Sequence, residues 1–333
     1  DKALETTARA ILSTLVPQSV EIHMTYANPP SPWCPPPERI TDAVIDRLNE
    51  GAWVVAYLGH GSPHSLDALE FEGRRHWLLT QGDAVEIESR RGAPLLFLIA
   101  CSTGHMDGER DCLAEALLRR PKGPIAAIAS SRVSMPYANG VLGREILLQL
   151  CERRPPTIGE LVLHAKRALL DANEPLIEWL ASTLYQPSGE LRRQERAEHL
   201  YLYNLFGDPA LRIPYPAEAA VECAASVAPG ATLEVAGTSP VPGEALVELV
   251  QHRAAAVPSR ASDDASERAF AETYERANRL DVARATAPVV DGKFRAKLGV
   301  PEGVEGAFFV RVFVGGEKGV AATSRPVTVA VAK

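Results

Sequence analysis

The chain has 333 residues, 46% hydrophobic and 23% charged, so its length predicts two globular domains and its composition excludes a disordered or collagen-like protein. The formal net charge of −7 argues against nucleic acid as a partner, because phosphate binding depends on clustered Lys and Arg, and favours a protein or peptide. No apolar run approaches the roughly 20 residues of a membrane-spanning helix, so no membrane span is expected.

The first two thirds of the chain alternate between short apolar runs and amphipathic stretches, which is typical of a mostly parallel α/β sheet with flanking helices. The runs predicted as strands are residues 20–24, 53–58, 95–100 and 125–129. The last three are almost wholly apolar, as expected of strands that are covered on both faces. Apolar residues at helical spacing predict helices at 37–49, 111–120, 158–170 and from near Asn139.

The texture of the sequence changes after residue 216. Short strand-like runs separated by Pro- and Gly-rich turns predict an all-β sandwich over residues 217–333, with strands at 233–236, 245–250, 294–298, 308–314 and 327–331. Residues 259–276 interrupt this pattern and are charged and rich in Ala and Ser. We expect them to form a mobile or weakly helical loop insertion, because their apolar content is too low for burial.

Two of the predicted strands end next to a potentially reactive side chain. The run at 53–58 leads into Gly59-His60-Gly61, and the run at 95–100 leads directly into Cys101. Since ligands bind outside the carboxyl ends of parallel strands, the imidazole and the thiol are expected on one rim of the sheet. An imidazole next to a thiol promotes its ionisation and can later protonate a leaving amine. The pattern therefore favours a Cys-His dyad.

The glycines beside His60 allow a sharp turn and leave room for a substrate backbone. The backbone N–H groups of Gly61 and Cys101 are candidate oxyanion donors. Each feature also has a simpler explanation, since Gly-His-Gly can be a structural turn and Cys is often a small buried residue. His64 and His105 lie near the same two segments and compete for the role of base.

The five cysteines are scattered without a CxxC pair, which indicates neither a zinc site nor a dense disulfide scaffold. No metal site or cofactor is predicted. Cys112 is a rival thiol to Cys101, but it falls within the predicted helix at 111–120 and is interpreted as a packing residue. The chain begins at Asp1 rather than Met, so we expect a processed product or a piece of a longer precursor with further domains.

Four segments, in this order, resemble the gingipain-like family of cysteine peptidases, peptidase family C25: residues 57–62, 99–120, 125–131 and 204–211. The resemblance implies a caspase-like α/β peptidase domain over 1–214 and an immunoglobulin-like domain over 217–333. It also implies His60 as general base, Cys101 as nucleophile, and the amides of Gly61 and Cys101 as oxyanion donors.

The resemblance further implies a substrate cleft beside the turn that follows residue 129, with Ser130, Ser131 and Tyr137 as candidate cleft residues. The family places a tryptophan after this turn, whereas this chain has Ser134-Met135-Pro136-Tyr137. Calcium ions occur in such folds, but no Asp-rich loop of the required kind is present. A family member is secreted or held in the cell envelope; the sequence itself does not identify the compartment.

The function predicted from these observations is a cysteine endopeptidase that works through an acyl-enzyme. Transpeptidation, in which an amine replaces water, is an alternative, as is a pseudoprotease that serves as a protein-binding module. A structural cell-surface module dominated by the β-rich segment is a further alternative. The acid that orients His60 is not identified, and Asp67, Glu70 and Asp83 are candidates for an acidic substrate pocket that are equally well explained as solvated loop charges.

Overall fold

A computed structural model describes residues 2–171, 188–253, 255, 257, 265–317 and 319–331. The chain forms two compact units, and each is built from separate stretches of sequence. The described residues of the first unit are 2–11, 25–171, 188–213 and 265–274. Those of the second unit are 12–24, 214–253, 255, 257, 275–317 and 319–331. The sequence-based boundaries at 1–214 and 217–333 remain a prediction.

The described part of the chain contains seven α-helices and fifteen strands. The helices are α1 (Lys2–Leu15), α2 (Ile40–Glu50), α3 (Leu113–Leu118), α4 (Pro136–Leu148), α5 (Ile158–Asp171), α6 (Gly189–Leu202) and α7 (Glu267–Asn278). The strands of the first unit are β1 (Val54–Leu58), β2 (Ala68–Phe71), β3 (Arg74–Trp77), β4 (Leu95–Ile99), β5 (Ala126–Ser130) and β6 (Tyr203–Phe206). Those of the second unit are β7 (Ala217–Glu218), β8 (Ala220–Cys223), β9 (Ser226–Val227), β10 (Thr232–Thr238), β11 (Gly243–Gln251), β12 (Asp281–Val289), β13 (Lys293–Gly299), β14 (Gly306–Gly316) and β15 (Gly319–Val329).

The first unit contains a four-stranded sheet in the order β1-β4-β5-β6. The first three strands are parallel, which confirms the predicted strands at 53–58, 95–100 and 125–129, and β6 is antiparallel to β5. Every residue of β4 and β5 is buried, because these central strands are covered on both faces. Helices α2 and α3 contribute apolar side chains to the same core. The first unit is therefore a mixed α/β structure.

The prediction of a strand at 20–24 is wrong. These residues pair with no strand in the described part of the chain. Side chains satisfy their backbone instead: the carbonyl of Val20 accepts from Arg253 at 2.7 Å, and the amide and carbonyl of Met24 bond to Asn278 at 2.7 and 3.0 Å. These part-buried hydrogen bonds pair backbone groups that a β-ladder would otherwise satisfy.

Two predicted helices have different limits in the structure. The stretch predicted at 37–49 begins with a single 3₁₀ turn at Pro37–Arg39, which α2 continues. Helix α3 is shorter than the predicted 111–120, and Cys112 is its N-cap residue. The Cys112 side chain accepts from a backbone N–H of the first turn, and Glu115 accepts from the Cys112 amide at 2.9 Å. The short helix thus begins with a capping box.

The second unit has two sheets around one hydrophobic core. One has the order β13-β10-β8, and the other has the order β12-β11-β14-β15-β7, with β9 also paired to β15. Side chains from both sheets enter the same core, among them Leu233, Val247, Phe294 and Val312. The runs predicted near 233, 245, 294 and 308 lie within strands, as does most of that near 327. The immunoglobulin-like assignment remains a prediction.

From the sequence, residues 259–276 are expected to be a mobile or weakly helical insertion with too little apolar content for burial. Residues 259–264 lie outside the described part of the chain; in the remainder the helical character is confirmed, but the expected lack of burial is wrong. Helix α7 covers most of the remainder, and Phe270 in it is only 1% exposed. Its ring packs edge-on against Phe71, with ring centroids 5.9 Å apart. The low average hydrophobicity concealed an apolar stripe at helical spacing, in which Tyr274 and Ala277 are also buried.

Replacement of Phe270 by Ala should destabilise the protein by about 3–5 kcal/mol, as expected when a fully buried aromatic side chain leaves a cavity. Glu275→Ala is the matched control on the exposed face of the same helix and should change the free energy of unfolding by less than about 0.5 kcal/mol. Urea denaturation of the three proteins measures the difference. Equal stability of the two variants would show that α7 does not pack as described.

Candidate active site

His60 and Cys101 follow neighbouring strands at the same edge of the sheet. The pairing of β1 with β4 ends at Leu58 opposite Ile99, and the Gly59 amide donates to the Ile99 carbonyl at 3.3 Å. Each candidate residue comes two positions after its last paired residue. If the register continued, His60 would therefore face Cys101.

The loops that carry the two residues are in direct contact. A Cβ atom at Gly61 would lie 2.9 Å from the Cys101 carbonyl oxygen and 2.7 Å from the Thr103 methyl group. No side chain fits in this space, so the close approach requires glycine. Ser102 has a φ of +55°, a left-handed conformation that is unfavourable for a residue with a Cβ. Such local strain is concentrated at functional sites.

Tyr57 holds the backbone next to His60. Its hydroxyl donates to the His60 carbonyl at 2.6 Å and accepts from the Asp67 amide at 3.3 Å. Burial raises the pKa of Tyr57 above its ordinary value, so the phenol keeps the proton that it donates. The His60 side chain is exposed, and its ring has no hydrogen-bond partner within the described part of the chain. The imidazole can therefore be approached from solvent.

The Cys101 sulfur is partly buried, and its hydrogen-bond partners among the described residues are all atoms of Ser134. The Ser134 carbonyl lies 3.4 Å from the sulfur, its amide also 3.4 Å, and its hydroxyl 3.8 Å. The amides of Gly61 and Cys101 donate no hydrogen bond within the residues that the structure describes. Both N–H groups thus stay available for a developing negative charge nearby.

Of the three candidate cleft residues, two make hydrogen bonds to backbone carbonyls and the third is buried. Ser130 is fully buried, and its hydroxyl donates to the Arg132 carbonyl at 2.8 Å. The Ser131 hydroxyl donates to the Leu202 carbonyl at 3.1 Å. Tyr137 is 3% exposed. A role of these three residues in a substrate cleft remains a prediction.

The rival thiol and the rival bases have different environments. Cys112 is buried, and desolvation raises the pKa of its thiol to about 11, which disfavours a thiolate. The His105 ring contacts the Asp107 carboxylate at 3.2 Å on the exposed rim. In His64, the Nδ1 atom is buried without a hydrogen-bond partner among the described residues. The buried Cys112 thiol resists ionisation, which favours Cys101 as the candidate nucleophile.

The three candidate acidic residues make local contacts. An Asp67 oxygen accepts from the Ala68 amide, and Glu70 pairs with Arg75 at 2.6 Å across the β2–β3 hairpin. Asp83 accepts from the amide and the hydroxyl of Thr80. Local structure thus explains each carboxylate without a substrate.

Sequence reasoning missed a group of buried polar residues behind Cys101, which we call the Ser134 cluster: Ser134, Asn139, His199 and Tyr203. Ser134 is 4% exposed, Asn139 is 6% exposed, and the other two are fully buried. The members come from a loop, two helices and the start of β6, so no spacing rule connects them. Only the position of Ser134 in the turn after β5 hinted at its location.

No group of three or more His, Cys, Asp or Glu side chains within the described ranges could hold a metal ion. None of the described helices is both long and apolar enough to cross a membrane.

Comparison with known proteins identifies the family. The model of peptidase family C25 matches residues 1–214, which is more than half of the chain. The chain belongs to peptidase family C25. Gingipain R2 of Porphyromonas gingivalis is 28% identical over 206 residues, which are 58% of this chain and 24% of that protein. Gingipain R1 of the same organism is 27% identical over 180 residues, which are 51% of this chain and 15% of that protein.

This C25 chain spans about a quarter or less of the length of these curated relatives. Among solved structures, it is similar to the Arg-specific cysteine proteinase gingipain R, with a TM-score of 0.40 and 23% sequence identity. That match covers 87% of this chain and 56% of the other. The chain is thus a gingipain-like member of peptidase family C25.

Proposed function

We propose that this chain is a cysteine endopeptidase in which Cys101 is the nucleophile and His60 the proton-transfer base. The observation that carries the proposal is the pairing of β1 with β4 up to Leu58 and Ile99, which brings both residues to the same edge. The contact of Gly61 with the Cys101 loop supports it, because it leaves no space for a side chain between the two segments. Membership of family C25 supports the same chemistry.

In the proposed reaction, His60 takes the Cys101 proton, and the thiolate attacks the carbonyl carbon of a peptide bond. The carbonyl π electrons move to oxygen, where the amides of Gly61 and Cys101 donate hydrogen bonds. When the carbonyl re-forms, the C–N bond breaks and protonated His60 gives its proton to the leaving amine. His60 then removes a proton from water as the water oxygen attacks the thioester carbonyl. The C–S bond breaks, the product leaves as a carboxylic acid, and protonated His60 returns its proton to the Cys101 thiolate.

Incubation of the purified protein with a mixed peptide library in water enriched in ¹⁸O tests this function. We expect new peptide C-termini that carry ¹⁸O, detected by mass spectrometry. Joined peptides without the isotope would instead indicate transpeptidation, since an amine would have resolved the acyl-enzyme. Peptide binding without any product would support the alternative of a pseudoprotease that acts as a binding module.

For the whole protein, we propose a longer precursor with further domains that is secreted or held in the cell envelope. A protein or peptide substrate follows from the proposed chemistry. No cofactor is required for any step, because proton transfer and covalent attack both use side chains of this chain.

A further inference from the structure

The Ser134 cluster lies directly behind the candidate nucleophile, and the proposed reaction assigns it no role. We propose that Ser134 is a positioning residue that stabilises the Cys101 thiolate, and that Asn139, Tyr203 and His199 hold it in place. This inference deepens the proposed function and rests on Cys101 being the nucleophile.

Ser134 can bond to both forms of the sulfur. In the thiol form, the S–H group donates to the Ser134 carbonyl at 3.4 Å. After the proton leaves, the Ser134 amide at 3.4 Å and its hydroxyl at 3.8 Å are donors to the negative sulfur. Hydrogen bonds to an ionised group are stronger than those to a neutral one, so these donors favour the thiolate.

The neighbours of Ser134 leave its hydroxyl proton available to the sulfur. Asn139 donates from Nδ2 to the Ser134 oxygen at 2.9 Å. The Tyr203 hydroxyl donates to Asn139 Oδ1 at 2.6 Å, a shorter contact than its 3.3 Å approach to Ser134. The Ser134 oxygen is therefore an acceptor for Asn139, and its own hydrogen can point to Cys101.

His199 fixes the backbone immediately after Ser134. The Met135 amide donates to His199 Nε2 at 3.1 Å, so Nε2 carries no hydrogen. The other nitrogen, Nδ1, lies 2.6 Å from the Glu195 carbonyl and must be the protonated one. Burial lowers the pKa of His199, which keeps the ring neutral in this arrangement. The loop that carries Ser134 is thus anchored to helix α6.

The rate at which iodoacetamide alkylates Cys101 tests the inference, with the Cys101 peptide quantified by mass spectrometry. Ser134→Ala keeps the backbone amide and removes only the hydroxyl. We expect its rate at neutral pH to fall by about three- to tenfold, the loss that an ordinary hydrogen bond implies, because the contact of the hydroxyl with the sulfur is long at 3.8 Å. At strongly alkaline pH, where accessible thiols are ionised, the rate should match that of the unmodified protein.

Three further variants make the test specific. Ser134→Thr keeps a hydroxyl and should retain most of the alkylation rate that the unmodified protein shows at neutral pH. Ser89→Ala removes a buried serine hydroxyl that bonds to the Leu48 carbonyl at 3.2 Å, and it should leave the Cys101 rate unchanged. Tyr203→Phe removes the hydroxyl that bonds to Asn139 and should also lower the alkylation rate. This variant tests the inference if Ser134→Ala does not fold.

A deficit of Ser134→Ala that persists at alkaline pH would overturn the inference, because altered access to the thiol acts at every pH. The absence of any deficit in Ser134→Ala, or in Tyr203→Phe if the former does not fold, would overturn it as well. Alkylation needs no peptidase activity. Cleavage by the unmodified protein together with unaltered alkylation in the variants would therefore refute this inference alone, whereas absence of cleavage would refute the proposed function alone.

Discussion

Cys101→Ala should abolish peptide cleavage and leave the fold intact. The substitution removes the sulfur, and no covalent acyl-enzyme can then form. The side chain is partly buried, and the sulfur's hydrogen bonds run to Ser134, so its loss leaves only a small gap. Cleavage of a peptide library and a thermal melting curve measure the two effects separately.

Cys112→Ala is the matched control, because Cys112 is the other thiol in the segment that resembles the family motif. Loss of its buried sulfur at the start of α3 should cost about 1 kcal/mol of stability, and measurable cleavage should remain. A well-folded but inactive Cys112 variant, combined with cleavage by the Cys101 variant, would show that Cys101 is not the nucleophile.

His60→Ala should lower kcat/KM for peptide cleavage by about 10²- to 10⁴-fold, the usual contribution of a positioned general base. The imidazole is exposed, and only the His60 carbonyl is bonded by Tyr57, so the variant should keep its stability. Initial cleavage rates, measured at one substrate concentration well below KM, give the ratio of kcat/KM values. A melting curve for each protein checks its stability.

His105→Ala is the control for His60→Ala, since His105 lies on the same rim and contacts Asp107. We expect it to retain nearly full activity. Equal losses in both variants would mean that the site depends on the local charge of the rim. A loss confined to the His105 variant would assign the base to that residue.

The three parallel strands β1, β4 and β5 were predictable because they are nearly continuous apolar runs, as expected of strands covered on both faces, whereas β6 was not predicted. The stretch at 20–24 instead alternates apolar and polar residues, as a half-exposed strand does, but Arg253 and Asn278 bond to its backbone in place of a neighbouring strand. No local pattern encodes partners more than 200 residues away. The burial of helix α7 was missed because burial depends on the spacing of a few apolar side chains and not on average composition.

The position of His60 and Cys101 after neighbouring strands was predictable, because each residue follows an apolar run in the sequence. The Ser134 cluster was not, because it joins residues from a loop, two helices and a strand that meet only in the folded chain. The capping role of Cys112 was hidden for a related reason: a helix start depends on hydrogen bonds that a short apolar pattern does not reveal.

Covalent labelling with a peptide that carries a thiol-reactive electrophile tests the central claim most directly. We predict a label on Cys101 in the unmodified protein and its loss in His60→Ala, because the base is needed to generate the thiolate. The other cysteines should stay unlabelled by the peptide probe: Cys34, Cys112, Cys151 and Cys223. A label on one of these cysteines, or equal labelling of Cys101 in the His60→Ala variant, would contradict the account.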